Sequence, residues 1–181
     1  MESDYLQSLG LEPGKYIIAV GRITPEKGFD YLIKAYKEAE LKEYKLVIAG
    51  GVESESSYGE ELQQLSKGTN VLFAGLVLGN DLVQLYKNAR LYVLSSINEG
   101  FPLVLLEAMS YGLDVLVSDI PATHLVKLER EDYFEKANVK DLSSKLKRKV
   151  CNPSIRRHYD LDEFDWNKIA AKVNSIYHSL F

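Results

Sequence analysis

The 181-residue chain has one cysteine, Cys151, which excludes an intrachain disulfide and a cysteine-based zinc site and fits a reducing compartment. No apolar run approaches the ~20 residues of a membrane-spanning helix, and the N-terminus lacks the basic and apolar regions of a signal peptide. Positive charge is not in excess: 22 Lys and Arg stand against 26 Asp and Glu, a net charge of −4. With no sustained basic stripe, nucleic acid is not an expected partner. The one short basic cluster, Lys145, Lys147, Arg148 and Lys149, reads as a solvated helix face or a helix C-terminal end as readily as a membrane patch. Several chemical signatures are missing as well. There is no G-x-G-x-x-G or G-x-x-x-x-G-K-[ST] phosphate loop, and Ser95-Ser96 lacks the G-x-S-x-G elbow that activates a serine. His124, His158 and His178 are too far apart for metal-ligand spacing, and no metal site is expected.

What the chain does have is alternation. Short apolar runs at Tyr16–Val20, Lys45–Ala49, Asn70–Phe73, Leu91–Leu94 and Val115–Val117, with a weaker sixth near Asp132–Phe134, show little period-two patterning. They read as strands covered on both faces. Helical patterns at Phe29–Glu40, Gly59–Lys67, Asn80–Ala89, Pro102–Gly112 and Val139–Val150 lie between them. This order predicts an α/β fold, a Rossmann-like doubly wound parallel sheet of about six strands with helices on both faces. Two parts are expected: a Rossmann-like domain over 1–150 and a C-terminal helical extension over 151–181. In the extension, Trp166, Ile169, Ala170, Val173, Ile176 and Tyr177 form one apolar helix face that needs a surface to cover, on this domain or on a partner domain. Such sheets bind ligands at the C-terminal ends of their strands, which directs attention to the loops after Val20, Ala49, Phe73, Leu94 and Val117.

The loop after the fourth strand opens Glu99-Gly100-Phe101-Pro102-Leu103-Val104-Leu105-Leu106-Glu107-Ala108-Met109. From Pro102 to Met109 only Glu107 is polar, so the segment reads as a helix buried on most sides, with Pro102 suited to its first position. A buried carboxylate is costly unless its oxygens are satisfied, either by ligand hydroxyls or by a structural Lys or Arg. Glu99 reads as a helix N-terminal charge or as a carboxylate that grips sugar hydroxyls. The backbone N–H groups of Phe101 and Leu103, at the helix start, offer an anion site. The loop after the first strand, Gly21-Arg22-Ile23-Thr24-Pro25-Glu26-Lys27-Gly28, brings a planar donor fork and a mobile point charge to the same edge. Both suit a diphosphate, though two basic residues in a turn are also ordinary surface. The Gly50-Gly51-Val52 turn permits close approach of a ligand to backbone, or is simply tight. Gly75-Leu76-Val77 could flank a flat ring.

Taken in order, Gly21-Arg22…Glu26-Lys27-Gly28, Leu46-Val47-Ile48-Ala49-Gly50, Phe73-Ala74-Gly75 and Glu99-Gly100-Phe101-Pro102-Leu103…Glu107-Ala108-Met109…Gly112 resemble the C-terminal, donor-binding half of the family 4 retaining glycosyltransferases, which have the two-domain GT-B fold. The resemblance runs from about Tyr16 to Val150, and the closing helix is similar to one that in this family crosses back onto the N-terminal domain. It implies transfer of a sugar from a nucleotide-diphosphate sugar to a hydroxyl acceptor with retention, in polysaccharide or glycoconjugate synthesis, with no cofactor beyond the donor substrate. By the same resemblance Arg22 and Lys27 clamp the diphosphate and stabilise charge on the departing nucleotide, a task for preorganised cations that needs no metal. Glu99 faces the donor sugar, and Glu107 holds the ribose hydroxyls. The Phe101 and Leu103 amides lie near sugar and phosphate, Gly75, Leu76 and Val77 border the base, and Gly21, Gly51, Gly100 and Pro102 complete the donor-binding set. Two departures stand out: Asp119-Ile120-Pro121-Ala122-Thr123-His124-Leu125 replaces the family's Gly-Gly and Glu after the fifth strand, and Ser95 stands where proline is frequent. By the same resemblance the acceptor-binding N-terminal half is expected to lie outside this sequence, so the expectation is a domain that binds nucleotide and turns over nothing alone. The full-length protein is expected in the cytoplasm, with peripheral association at the inner face of the cell membrane through a lipid-linked acceptor. An epimerase or phosphorylase of the same architecture remains an alternative, as does a non-catalytic module with a relict nucleotide pocket.

Overall fold

The computed structural model describes residues 4–52, 57–153, 155–165, 167, 168, 171 and 175. Six parallel strands, β1 (Tyr16–Val20), β2 (Lys45–Ala49), β3 (Val71–Gly75), β4 (Leu91–Leu94), β5 (Val115–Ser118) and β6 (Tyr133–Phe134), form one sheet in the order β3-β2-β1-β4-β5-β6. The chain starts at the centre, winds outward to β3, then returns beside β1 and winds the other way. That reversal puts the topological switch point between β1 and β4. The α/β Rossmann-like expectation holds.

The helices are α1 (Asp4–Ser8), α2 (Phe29–Ala39), α3 (Tyr58–Leu65), α4 (Gly79–Asn88), α5 (Leu103–Ser110) and α6 (Val139–Cys151). One face of the sheet is covered by α2, α3 and α6, which bury Leu32, Ile33, Leu62, Leu142 and Leu146 against Ile17, Ala19, Leu46, Ile48 and Leu91. The other is covered by α1, α4 and α5, with Leu6, Leu85, Leu105, Ala108 and Met109 against Tyr16, Ile18, Val47, Tyr92 and Val115. Successive strand residues point to opposite layers, so both must be apolar, which is why the strands carry no alternation.

Most element ends shift by a residue or two from expectation. Pro102 sits just before α5 rather than in its first turn, and β3 begins one residue later and continues to Gly75, which pairs with Ala49 of β2 through a register shift at Ile48/Ala49. The short helix α1 was not expected. The apolar residues expected to line the Trp166–Tyr177 helix lie outside the described residues.

The segment after α6 is sewn to the domain. The Arg157 N–H donates to the Gly112 carbonyl at 2.9 Å, and the Tyr159 hydroxyl donates to the Leu113 carbonyl at 2.7 Å. Gly112 has φ +68, and a Cβ there would lie 2.8 Å from the Arg157 oxygen, so this crossing needs glycine. Beneath it four charges meet. Lys149 Nζ lies 2.7 Å from Asp114 and 2.6 Å from the fully buried Asp132, and Arg157 lies 3.2 Å and 2.6 Å from the same two oxygens. Burial pushes the Asp132 carboxyl up, but Arg157 and Lys149 outweigh it and hold the group below its usual range. The buried Arg90 guanidinium donates to the carbonyls of Lys149, Val150 and Asn152, satisfying the end of α6 with a cation where the helix dipole favours one.

Candidate active site

The loops after β1 and β2 are pressed together backbone to backbone. The Gly21 N–H donates to the Ala49 carbonyl at 3.0 Å and the Ile23 N–H to the Gly51 carbonyl at 2.9 Å. A Cβ on Gly50 would come within 1.7 Å of the Gly21 oxygen, so no other residue fits there. A one-turn 3₁₀ helix, Pro25–Lys27, then ends at Gly28 in the left-handed region, packed so closely that a Cβ would lie 2.2 Å from the Ser95 carbonyl oxygen. Ser95 returns the contact, its hydroxyl donating to the Lys27 carbonyl at 2.8 Å, and the Ile97 N–H donates to the Glu26 carbonyl at 2.8 Å. The turn after β1 is thereby stitched to the turn after β4, across the switch point.

That stitching brings together two side chains 72 residues apart. Lys27 Nζ sits 2.6 Å from Glu99 Oε1, and the two side chains are only 15% and 10% exposed. The Ser96 hydroxyl donates to the same oxygen at 2.6 Å. Arg22 is exposed on the same turn. Nearby Glu26 is held below the usual carboxylate range, first by its own backbone N–H, then by the Thr24 hydroxyl and the charges of Arg22 and Lys27.

Glu107 corrects the sequence reading. It is exposed, not buried, because α5 turns Leu103, Glu107 and Ser110 outward along one stripe while Leu105, Ala108 and Met109 face the core. An apolar run with one acid does not reveal which stripe meets water. Among the described residues no Lys or Arg pairs with Glu107. Its partner is the Tyr86 hydroxyl, which donates to Oε2 at 3.1 Å. Tyr86 itself is almost wholly buried, and burial, then the Glu107 charge, pushes its phenol far above the ordinary range.

The remaining expected residues divide. Gly75 has φ +70 with open space around it, and Leu76 is 70% exposed beside Gly51, so both face the ligand edge. Val77 does not: it is buried in the core under α4, and its side chain offers a ring no wall. Gly100 is open, Pro102 is buried, and Phe101 is half-exposed with its ring 5.9 Å from that of Phe164 in the C-terminal segment. The Leu103 N–H already donates to the Phe101 carbonyl at 3.0 Å, so it is not the ready anion donor expected of it. After β5, a second 3₁₀ turn (Pro121–Leu125) sets His124 2.6 Å from Asp119 and stacks it on Tyr133, both polar groups exposed. Among the described residues no group of three or more His, Cys, Asp or Glu is placed to hold a metal ion. An Asp-x-Asp pair, Asp160-Leu161-Asp162, lies in the C-terminal segment, where Asp162 pairs with Lys168 at 2.5 Å. Ser96 and Tyr86, the partners of the two acids, carried no signal in the sequence: nothing in the spacing of a serine or a helical tyrosine marks the carboxylate it will meet.

Residues 2–160 match the family profile described as glycosyl transferases group 1. An uncharacterised glycosyltransferase of Methanocaldococcus jannaschii is 40% identical over 119 residues, 65% of this chain and 30% of that protein. The serotype-specific mannosyltransferase WbdA of Escherichia coli is 31% identical over 157 residues, 80% of this chain and 18% of that one. Among solved structures, the catalytic domain of cholesterol-α-glucosyltransferase from Helicobacter pylori superposes with a TM-score of 0.65 at 31% identity, covering 75% of this chain and 86% of that chain. Sucrose-phosphate synthase from Thermosynechococcus elongatus gives 0.79 at 25% identity, covering 98% and 48%. The chain spans well under half the length of the curated relatives it matches. By its profile match, its ordered motifs and its Rossmann-like sheet, the chain belongs to the glycosyl transferases group 1 family.

Proposed function

We propose that this chain is the donor-binding half of a glycosyltransferase that moves a sugar, with retention, from a nucleotide-diphosphate sugar to a hydroxyl acceptor held by an N-terminal half outside this sequence. The observation that carries the reading is the convergence of Lys27 and Glu99 at 2.6 Å on the switch-point edge, with Arg22 exposed on the same turn and Glu107 exposed on α5, the helix that follows Glu99. Arg22 and Lys27 receive the diphosphate and neutralise charge that grows on the leaving nucleotide. In doing so Lys27 exchanges one anion for another, from the Glu99 carboxylate to phosphate, and Glu99 is released toward the sugar hydroxyls. Glu107 takes the ribose diol, and Gly75 with Leu76 borders the base. Relatives named as O-antigen and serotype-specific mannosyltransferases support a role in polysaccharide synthesis. We place the full-length protein at the cytoplasmic face of a membrane, working on a lipid-linked acceptor; among the described residues no helix is long and apolar enough to cross one.

Calorimetric titration of the chain with UDP, GDP and ADP tests this. At least one is expected to bind, and Arg22→Ala and Glu107→Ala are each expected to weaken it about ten-fold or more. Binding of none, the behaviour of a relict pocket, or wild-type binding by both variants contradicts the assignment. Sugar transfer by this chain alone contradicts the division of labour between two halves.

A further inference from the structure

Glu107 is exposed on α5, and a free glutamate there would have to be ordered by each ligand it met, at a cost in side-chain entropy. The structure supplies an anchor from below. Tyr86 on α4 is 1% exposed, and its ring is held on two sides: stacked on Tyr111 with centroids 5.7 Å apart and planes 16° apart, and tilted against Tyr92 at 6.2 Å. With the ring so confined, only its hydroxyl can adapt. That hydroxyl has one proton and two acceptors in reach, Glu107 Oε2 at 3.1 Å and the Val104 carbonyl at 3.5 Å, and the shorter contact is to the acid.

We infer that Tyr86 is a positioning residue for ribose recognition: its hydroxyl pins Oε2 of Glu107, leaving Oε1 preset toward the vicinal hydroxyls of a ribonucleoside diphosphate. The inference rests on the donor-binding reading above and adds to it a residue that touches no ligand. Burial, and then the Glu107 charge, push the Tyr86 phenol far above its ordinary range, so it remains a donor at neutral pH. The arrangement repeats the logic of the other acid, where the Ser96 hydroxyl fixes Glu99 Oε1. In each case a hydroxyl on a buried residue orients an acid of the candidate site.

The test uses UDP, GDP and ADP and their 2′,3′-dideoxy counterparts, titrated into wild type, Tyr86→Phe, Glu107→Ala and the double variant. Wild type is expected to prefer the ribonucleotide. Tyr86→Phe is expected to bind it about 3- to 10-fold more weakly while binding the dideoxy form as wild type does, which also shows the pocket intact. In the Glu107→Ala background the second substitution is expected to change nothing. Equal losses for both nucleotide forms, or no loss for either, overturn the role of Tyr86 while leaving the donor-binding reading standing. A wild-type chain that binds ribo and dideoxy forms alike removes the ribose role of Glu107, and Tyr86's with it. Should Tyr86→Phe fail to fold, Glu107→Asp draws the carboxylate away from Tyr86 from the solvent side, and ribose preference undiminished in that variant overturns the inference.

Discussion

Lys27 and Glu99 satisfy one another before any ligand arrives, so a diphosphate must compete with a carboxylate for the same ammonium. Removing the acid's charge should therefore help the ligand: Glu99→Gln is expected to bind nucleoside diphosphate about 3- to 10-fold more tightly than wild type, read by calorimetry. Weaker binding would mean that Glu99 serves chiefly to hold Lys27 in place. Beneath the same edge, the Tyr92 hydroxyl is wholly buried and finds no hydrogen-bond partner among the described residues. An unsatisfied buried hydroxyl costs about 1–3 kcal/mol. Tyr92→Phe is accordingly expected to raise the urea midpoint of unfolding, and a lowered midpoint would reveal a partner for the hydroxyl. At this scale the residues that bear charge were legible in the sequence, because Arg22, Lys27, Glu99 and Glu107 are costly or conspicuous where they stand. Their supports were not. Tyr86 and Ser96 are ordinary residues until the fold brings them to an acid, and the exposure of Glu107 depends on a helix rotation that its apolar neighbours do not report.

Among the elements, the strands were the most legible, since a sheet covered on both faces demands unbroken apolar runs and β1, β2 and β4 contain nothing else of consequence. Ends were less so: they are set by contacts across loops, such as the pairing of Gly75 with β2, that lie far off in the chain. The charge cluster joining the residues just before β5 and β6, α6 and the segment after α6 was invisible for the same reason, its four members spanning Asp114 to Arg157. Because Asp132 is held below its usual range, its share of the stability is complete above the unfolded carboxyl's titration, near pH 4, and is lost as the pH falls further toward the lowered folded value. Asp132→Asn leaves Lys149 and Arg157 short of a partner and is expected to cost about 3–5 kcal/mol at neutral pH. Urea unfolding of wild type and variant at pH 7 and below pH 4 checks both statements. A gap between the two proteins that fails to narrow in acid would show that the cluster does not act through this carboxylate.

For the whole molecule, the doubly wound order places its two most ligand-like loops side by side without either knowing the other in sequence, and the switch point between β1 and β4 is where they meet. The segment beyond α6, read from the sequence as an extension, packs on the domain through Arg157, Tyr159 and Phe164. A chain ended at Asn152 is expected to unfold at lower urea than the full chain, and an unchanged midpoint would mean that the segment only rests on the surface. The central claim is that the cationic turn after β1 holds a diphosphate at this edge. Its most direct test is the ratio of affinities for a nucleoside diphosphate and for the bare nucleoside, measured by calorimetry in wild type and in Lys27→Met. The account predicts a wild-type ratio of about ten or more that falls several-fold in the variant; the same ratio in both proteins would contradict it.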